Sequence, residues 1–250
     1  MDKLFKGGDV KMSYGFKIIV EGDYALYTRP ESKVERVSYD VPTPSALEGL
    51  IKSVYWKPAI QYRIQRIIVF NPIRFLNVRR NEVKSKISLS KVKMQMKGNN
   101  SAEIFASEER SQRASMLLRD VKYGIEFCFD LTGFQSEKDD EGVKKHYNIL
   151  KRRLEKGQCF RQPCLGMKEF AVSKIALVED FDYYKISPEL KGTMDLGYML
   201  YRMKFKDGGS PINGDWENPK FSDDADPIFY HPYMVDGIID VEKYVGEMIC

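Results

Sequence analysis

A chain of 250 residues, 43% hydrophobic and 30% charged, has the composition of a soluble globular protein, large enough for one large domain or one domain with a small appendage. No apolar run approaches the roughly 18 residues of a membrane span, and Met1 to Asp9 carries no apolar signal region. Four cysteines without a CxxC pair imply a reduced, cytoplasmic setting, and a net charge of only +4 argues against general polyanion stickiness.

In chain order, Phe16 to Val20 is a first strand rich in β-branched residues. Glu21-Gly22-Asp23 is expected to turn, with Tyr24 to Tyr27 continuing extended. The next element lies within Ser38 to Lys57. Thr43 is a good N-cap, and Pro44 suits the first helical position, where its missing N–H would be unbonded anyway. Leu47, Leu50, Ile51 and Val54 recur at helical spacing. Pro58 disfavours helical dihedrals at Lys57 and stops the helix. Tyr55, Trp56 and Lys57 therefore stand at a helix end, where side chains can meet a ligand. Tyr62 to Val69 is a second long strand, ended by Asn71-Pro72. Strand, helix, strand in this order fits the first half of a ferredoxin-like or RNA-recognition-motif unit.

Charge is unevenly placed. Arg74 to Lys97 holds eight Lys/Arg against one acid, Glu82, which suits a local polyanion track. Within it, Ile87, Leu89, Val92, Met94 and Met96 interleave with Lys86, Lys91, Lys93 and Lys97. That alternation predicts a hairpin with one charged face, with Gly98 to Ser101 as its turn. Met116 to Leu131 is another strand, and Gln135 to Glu141 a polar, acidic loop. A second helix follows from Val143, Tyr147, Leu150 and Leu154 and stops at Gly157. His146 borders its apolar stripe, while Lys144, Lys145, Lys151, Arg152 and Arg153 cover the other faces. Cys159 to Gly166 is a loop and Phe170 to Val178 a closing strand. The tail offers a strand over Met194 to Phe205, a loop over Asp207 to Pro227, and short strands at Ile228 to Tyr230 and Val235 to Val241. The expected architecture is α+β: a ferredoxin-like domain over residues 14–182 carrying the basic hairpin, and a small antiparallel β extension over 183–250.

Two histidines, His146 and His231, and no paired His or Cys at ligand spacing give metal chemistry little support. A Walker-type loop and a GxSxG elbow are also absent from the sequence. RNA can be cut without a cofactor, because its own 2′-hydroxyl attacks the adjacent phosphorus. The protein must orient that attack, move a proton and stabilise the charge on the phosphate. His146 titrates near neutrality, Lys145 beside it is a fixed positive charge, and Tyr55 is a hydroxyl donor and acceptor. The same residues also fit a half-packed surface histidine and a Tyr-Trp pair that closes a core.

From Ser38 to Ile60 the chain resembles the type I-C (Dvulg) branch of the CRISPR-associated Cas-five family, in Ser-Tyr-Asp-Val-Pro-Thr-Pro-Ser-Ala-Leu and Tyr-Trp-Lys-Pro-Ala-Ile. The resemblance continues through Asn71-Pro72-Ile73, Val78 to Val83, Lys145-His146-Tyr147, Cys164 to Phe170 and Asp195 to Tyr201. It implies a ferredoxin-like RNA-recognition-motif domain of the RAMP type. It also implies an endoribonuclease that cuts precursor CRISPR RNA at the base of each repeat hairpin and keeps the 5′ handle as a Cascade subunit in antiviral defence. No cofactor or metal is implied. Carried over by motif, the catalytic residues are Tyr55, Lys145 and His146. Where family members often have Arg-Glu-Phe, this chain has Lys168-Glu169-Phe170, which loses a planar two-pronged donor. Charge and placement add Lys57, Arg79, Arg80, Lys84, Arg110, Arg113 and Arg161 as RNA-binding candidates. The expected partners are the repeat hairpin, the guide handle and other type I-C Cascade subunits. Two rival readings are a guide-handle clamp without catalysis and a duplex-DNA binder.

Overall fold

The strand expected from Phe16 runs on to Ala25 as one element, β1 (Phe16–Ala25). The turn expected at Glu21-Gly22-Asp23 does not form. Gly22 stays in register opposite Val121, and the ladder hydrogen bonds hold the backbone extended. Glycine serves space there, since a Cβ on Gly22 would stand 2.3 Å from Leu165 Cδ1. The computed structural model describes residues 15–32, 34–98, 103–133, 142–208, 211–215, 218–246 and 248. The expected Gln135–Glu141 loop, the Asn99–Ser101 part of the hairpin turn and the N-terminal nine residues lie outside them.

After β2 (Arg36–Val37) comes α1 (Pro44–Val54). Its cap is the one the sequence predicts: Thr43 Oγ1 accepts from the Ala46 N–H at 3.3 Å, with Pro44 at the first helical position. Leu47, Leu50, Ile51 and Val54 are buried. Then follow β3 (Ile60–Val69), β4 (Phe75–Val83), α2 (Leu89–Met96), β5 (Arg110–Leu131), α3 (Val143–Lys156) and β6 (Lys174–Val178). Gly157, left-handed at φ 63°, ends α3. The closing strand is shorter than expected, because Phe170 to Ser173 is drawn into a loop by the Cys164–Ala171 bridge and by the Val172 N–H bond to the Pro163 carbonyl.

The central order is β6-β1-β5-β3, with every neighbouring pair antiparallel. Phe16, Ile18, Val20, Ile125 and Phe127 share a core with the apolar stripes of α1 and α3. A smaller cluster of Ile19, Ile68 and Phe70 packs with Phe181, Tyr184 and Ile186. Burying these side chains stabilises the fold by roughly 1.5–3 kcal/mol each.

Three tail elements differ from expectation. Met194 to Phe205 is split at Gly197 into β7 (Thr193–Asp195) and β8 (Met199–Phe205). β9 (Ala225–Tyr230), β10 (Tyr233–Val235) and β11 (Ile238–Asp240) follow, and the strand expected over Val235 to Val241 is broken by a turn at Asp236-Gly237, left-handed at φ 49° and 80°. β11, β10 and β7 extend the sheet beyond β3, while β8 and β9 form a separate ladder. Pro227 lies inside β9 rather than ending a loop, a position edge strands tolerate. Arg202 of β8 donates to the buried Glu48 of α1 at 2.6 Å, joining the ladder to the helix.

The basic segment also differs. β4 pairs with β5 from Phe75↔Leu118 to Val83↔Arg110, forming an arm. The alternating stretch beyond it is not a strand pair but the helix α2, with Leu89 and Met96 exposed. Leu89, Val92 and Met96 recur at helical spacing, and no residue of α2 is buried, so no sheet among the described residues covers them to favour the extended form. β5 serves both the arm and the sheet. Within it Asp120 is left-handed at φ 52°, and its carbonyl accepts from Asn71 Nδ2 at 2.7 Å. Among the described residues no helix is long and apolar enough to cross a membrane.

Candidate active site

Tyr55 and His146 meet. α1 ends at Val54, and Tyr55 turns extended at φ −151°, which swings its side chain off the helix and toward α3. Tyr55 Oη and His146 Nδ1 share a hydrogen bond of 2.8 Å, with ring centroids 6.0 Å apart. Phe129 of β5 sets its ring edge-on to His146 at 6.4 Å. Tyr55 is 3% exposed and His146 1%. Lys145, half-buried, precedes His146 in the first turn of α3. A phenol bonded to an imidazole is a unit through which a proton can pass.

Two residues that the sequence reading did not assign to the site hold Tyr55 in place. The Tyr62 hydroxyl donates to the Tyr55 carbonyl at 2.8 Å, and burial pushes the Tyr62 phenol well above its ordinary pKa. Arg153 does not cover a solvent face of α3. Its guanidinium carbon lies 5.1 Å from the centre of the Tyr55 ring, and Nη1 donates to the Val54 carbonyl at 2.6 Å. For Arg153 a signal existed in spacing, seven residues after His146 and so two turns along the same face of α3; Tyr62, on β3, had none.

The loop after α3 docks on the same end of α1. The N–H groups of Phe160 and Arg161 both donate to the Ser53 carbonyl, at 2.9 and 3.0 Å. Phe160 is 75% exposed, with the Arg161 guanidinium 5.8 Å from its ring. Trp56 (49% exposed) and Lys57 project into solvent beside Tyr55. Lys57 and Arg161 thus lie near the Tyr55–His146 pair.

The other basic candidates lie on the arm, and strand alternation divides them. Arg80 and Arg113 are opposite one another on one face and are engaged there. Arg80 pairs with Glu169 at 2.5 Å and Glu82 at 3.7 Å, Arg113 with Glu82 at 3.7 Å, and Arg36 joins Glu82 at 3.0 Å. Arg79 and Arg110 sit on the opposite, exposed face. Lys84 is exposed at the arm's end, where its N–H bonds the Glu109 carbonyl.

A family model described as CRISPR-associated protein (Cas_Cas5) matches residues 16–242. A protein named CRISPR pre-crRNA endoribonuclease Cas5d from Mannheimia succiniciproducens is 40% identical over 242 residues, which cover 95% of this chain and 99% of the relative. One of the same name from Thermus thermophilus is 33% identical over 238 residues, 91% and 92% of the two chains. Among solved structures, one described as a CRISPR-associated protein has a TM-score of 0.60 at 22% identity, covering 93% of this chain and 94% of its own. The functionally uncharacterized SMU1763c of Streptococcus mutans has a TM-score of 0.57 at 25% identity, covering 91% of each. The 0.60 match carries the α+β fold, a mostly antiparallel sheet with few helices.

Proposed function

Because the chain belongs to the Cas5 family of CRISPR-associated proteins, we propose that it is a metal-independent endoribonuclease that cuts precursor CRISPR RNA at the base of the repeat hairpin. It then retains the 5′ handle as a Cascade subunit in the cytoplasm. Support comes from two relatives named for this activity, at 40% and 33% identity. The observation that carries the site is the 2.8 Å bond between Tyr55 Oη and His146 Nδ1, which joins side chains 91 positions apart. The unit β1-α1-β3-β5-α3-β6 is read as ferredoxin-like, supported by the antiparallel order β6-β1-β5-β3.

In the proposed reaction the 2′-hydroxyl attacks the adjacent phosphorus. The P–O2′ bond forms and the P–O5′ bond breaks, leaving a 2′,3′-cyclic phosphate and a 5′-hydroxyl. The 2′-hydroxyl proton passes to one member of the Tyr55–His146 pair, and the other returns a proton to the departing 5′-oxygen. Lys145 stabilises the charge on the phosphate. Duplex RNA is read mostly by shape, so discrimination falls on the stem base and its single-stranded flanks.

The test is a repeat RNA incubated with the protein in EDTA. Cleavage to a cyclic phosphate is expected, and a single 2′-deoxy nucleotide 5′ of the scissile phosphate should block it. Intact RNA in EDTA, or cutting of the deoxy substrate, overturns the mechanism.

The burial of both Tyr55 and His146 favours a second reading, in which their bond is an interhelical tether and the RNA is clamped uncut. Unchanged processing by His146→Ala and Lys145→Ala, with binding retained, would select it. Competition between repeat RNA and duplex DNA over a salt series tests DNA contact.

A further inference from the structure

We infer that the cavity behind Tyr55 is a nucleobase pocket, which takes one unpaired base of the RNA beside the cut and so sets the register of cleavage. The inference deepens the function proposed above and rests on it.

The cavity has a volume of about 150 Å3 and lies between the carboxyl ends of α1 and α3. A space on the order of 150 Å3 holds one six-membered ring, so it suits a single base and excludes a base pair. Its floor is apolar, with Val54, Leu154 and Val172 buried. Its rim carries two exposed side-chain amides, Gln158 and Gln162. Each amide offers one acceptor and two donors, the groups that read the Watson–Crick edge of a splayed-out base.

The walls are preformed. The Gln158 N–H bonds the Arg153 carbonyl at 2.9 Å, the Val172 N–H bonds the Pro163 carbonyl at 3.0 Å, and Phe160 and Arg161 are pinned to Ser53. A preformed pocket avoids the ordering cost that weakens binding by mobile loops.

Electrostatics select a base over a phosphate. Two helix carboxyl ends put negative partial charge on the cavity. Its two cationic lining residues are engaged: the Arg153 guanidinium donates to the Val54 carbonyl, and Lys174 pairs with Glu21 at 3.8 Å. The same guanidinium lies 5.1 Å from the centre of the Tyr55 ring, so an occupied pocket places the neighbouring backbone beside the Tyr55–His146 pair.

The test uses the full chain and repeat RNAs made abasic one position at a time around the scissile phosphate. At one position the loss of the base should slow single-turnover cleavage on the order of ten- to hundredfold. The Gln158→Ala/Gln162→Ala double variant should relax base preference at that position alone. Val172→Phe fills the floor, and with it the natural and abasic RNAs should be cut at one equal, lowered rate, because two changes that remove one contact do not add. An abasic penalty that persists in full in Val172→Phe, or no sensitive position at all, overturns the inference. Should Val172→Phe fail to fold, the double variant at the exposed rim decides. The failure of the underlying activity is distinguishable. Base entry is also read without cleavage, by 2-aminopurine fluorescence at each position on binding. Uncut RNA with one position altered, and that change lost in the double variant, removes the enzyme and keeps the pocket.

Discussion

Arg153 touches the candidate site twice, with its guanidinium 5.1 Å above the Tyr55 ring and Nη1 2.6 Å from the Val54 carbonyl. The first contact is a cation over an aromatic face, and the second satisfies a carbonyl at the end of α1. Arg153→Ala should cost about 1–3 kcal/mol of stability in urea denaturation and slow cleavage more than it weakens RNA binding. Arg153→Lys keeps the charge without the planar fork and should fall between. Equal urea midpoints and equal rates for the three proteins would refute this role.

Tyr55 and His146 should behave as one unit. Tyr55→Phe and His146→Asn are each expected to lower single-turnover cleavage by about 10²–10⁴ while leaving RNA affinity nearly unchanged. The double variant should be no slower than the worse single one, because parts of one catalytic unit are not additive. Multiplying losses would mean that the two act separately.

On the arm, the exposed and the engaged arginines should differ. Arg79→Ala and Arg110→Ala should each weaken RNA binding uniformly and reduce the slope of log K against log salt by about one. Arg80→Ala also strips Glu169 of its partner at 2.5 Å, so it should lower stability as well, read by thermal unfolding. Identical melting curves for Arg79→Ala and Arg80→Ala would contradict the division of the two faces.

Gly166 has φ 86°, and a Cβ there would lie 2.0 Å from the Leu26 carbonyl oxygen. The strained dihedral and the backbone clash act together, so Gly166→Ala should destabilise by at least about 2 kcal/mol. A variant as stable as the parent in urea would show that this loop can move away from β1.

Tyr27, Tyr62, Tyr123 and Tyr230 are buried, and desolvation raises all four phenol pKa values. An unfolded tyrosine titrates near pH 10. The folded protein keeps these protons above that pH while the unfolded chain releases them, so stability is full below about pH 10 and falls as pH rises. Absorbance at alkaline pH should show exposed tyrosines titrating first and these four only with loss of circular dichroism. A single smooth titration without unfolding would refute it.

The two long helices were legible because their ends are written locally. Thr43-Pro44 caps α1, and Gly157 closes α3. The Tyr55–His146 encounter was legible through the family motifs, not through spacing. What failed was set by distant partners. Glu21-Gly22-Asp23 has turn composition, yet pairing with β5 on one side and the Leu165 side chain over Gly22 keep it straight. The alternation of Lys86 to Lys97 had no sheet to face, and a helix took its place. Tyr62 and Arg153 gave no chemical signal of their own, since their roles come from what the fold sets beside them.

β5 remains a single strand of 22 residues. The nine residues of its partner β4 span about 30 Å at strand rise. The arm carries Arg79 and Arg110 at one end of β5, and Phe129 near its other end sets its ring edge-on to His146, so one strand runs from the arm to the candidate site. A one-residue insertion in β5 would slip its register against β1, β3 and β4 and turn the side chains beyond it to the opposite face, so neither end can be lengthened away from the other without disturbing both.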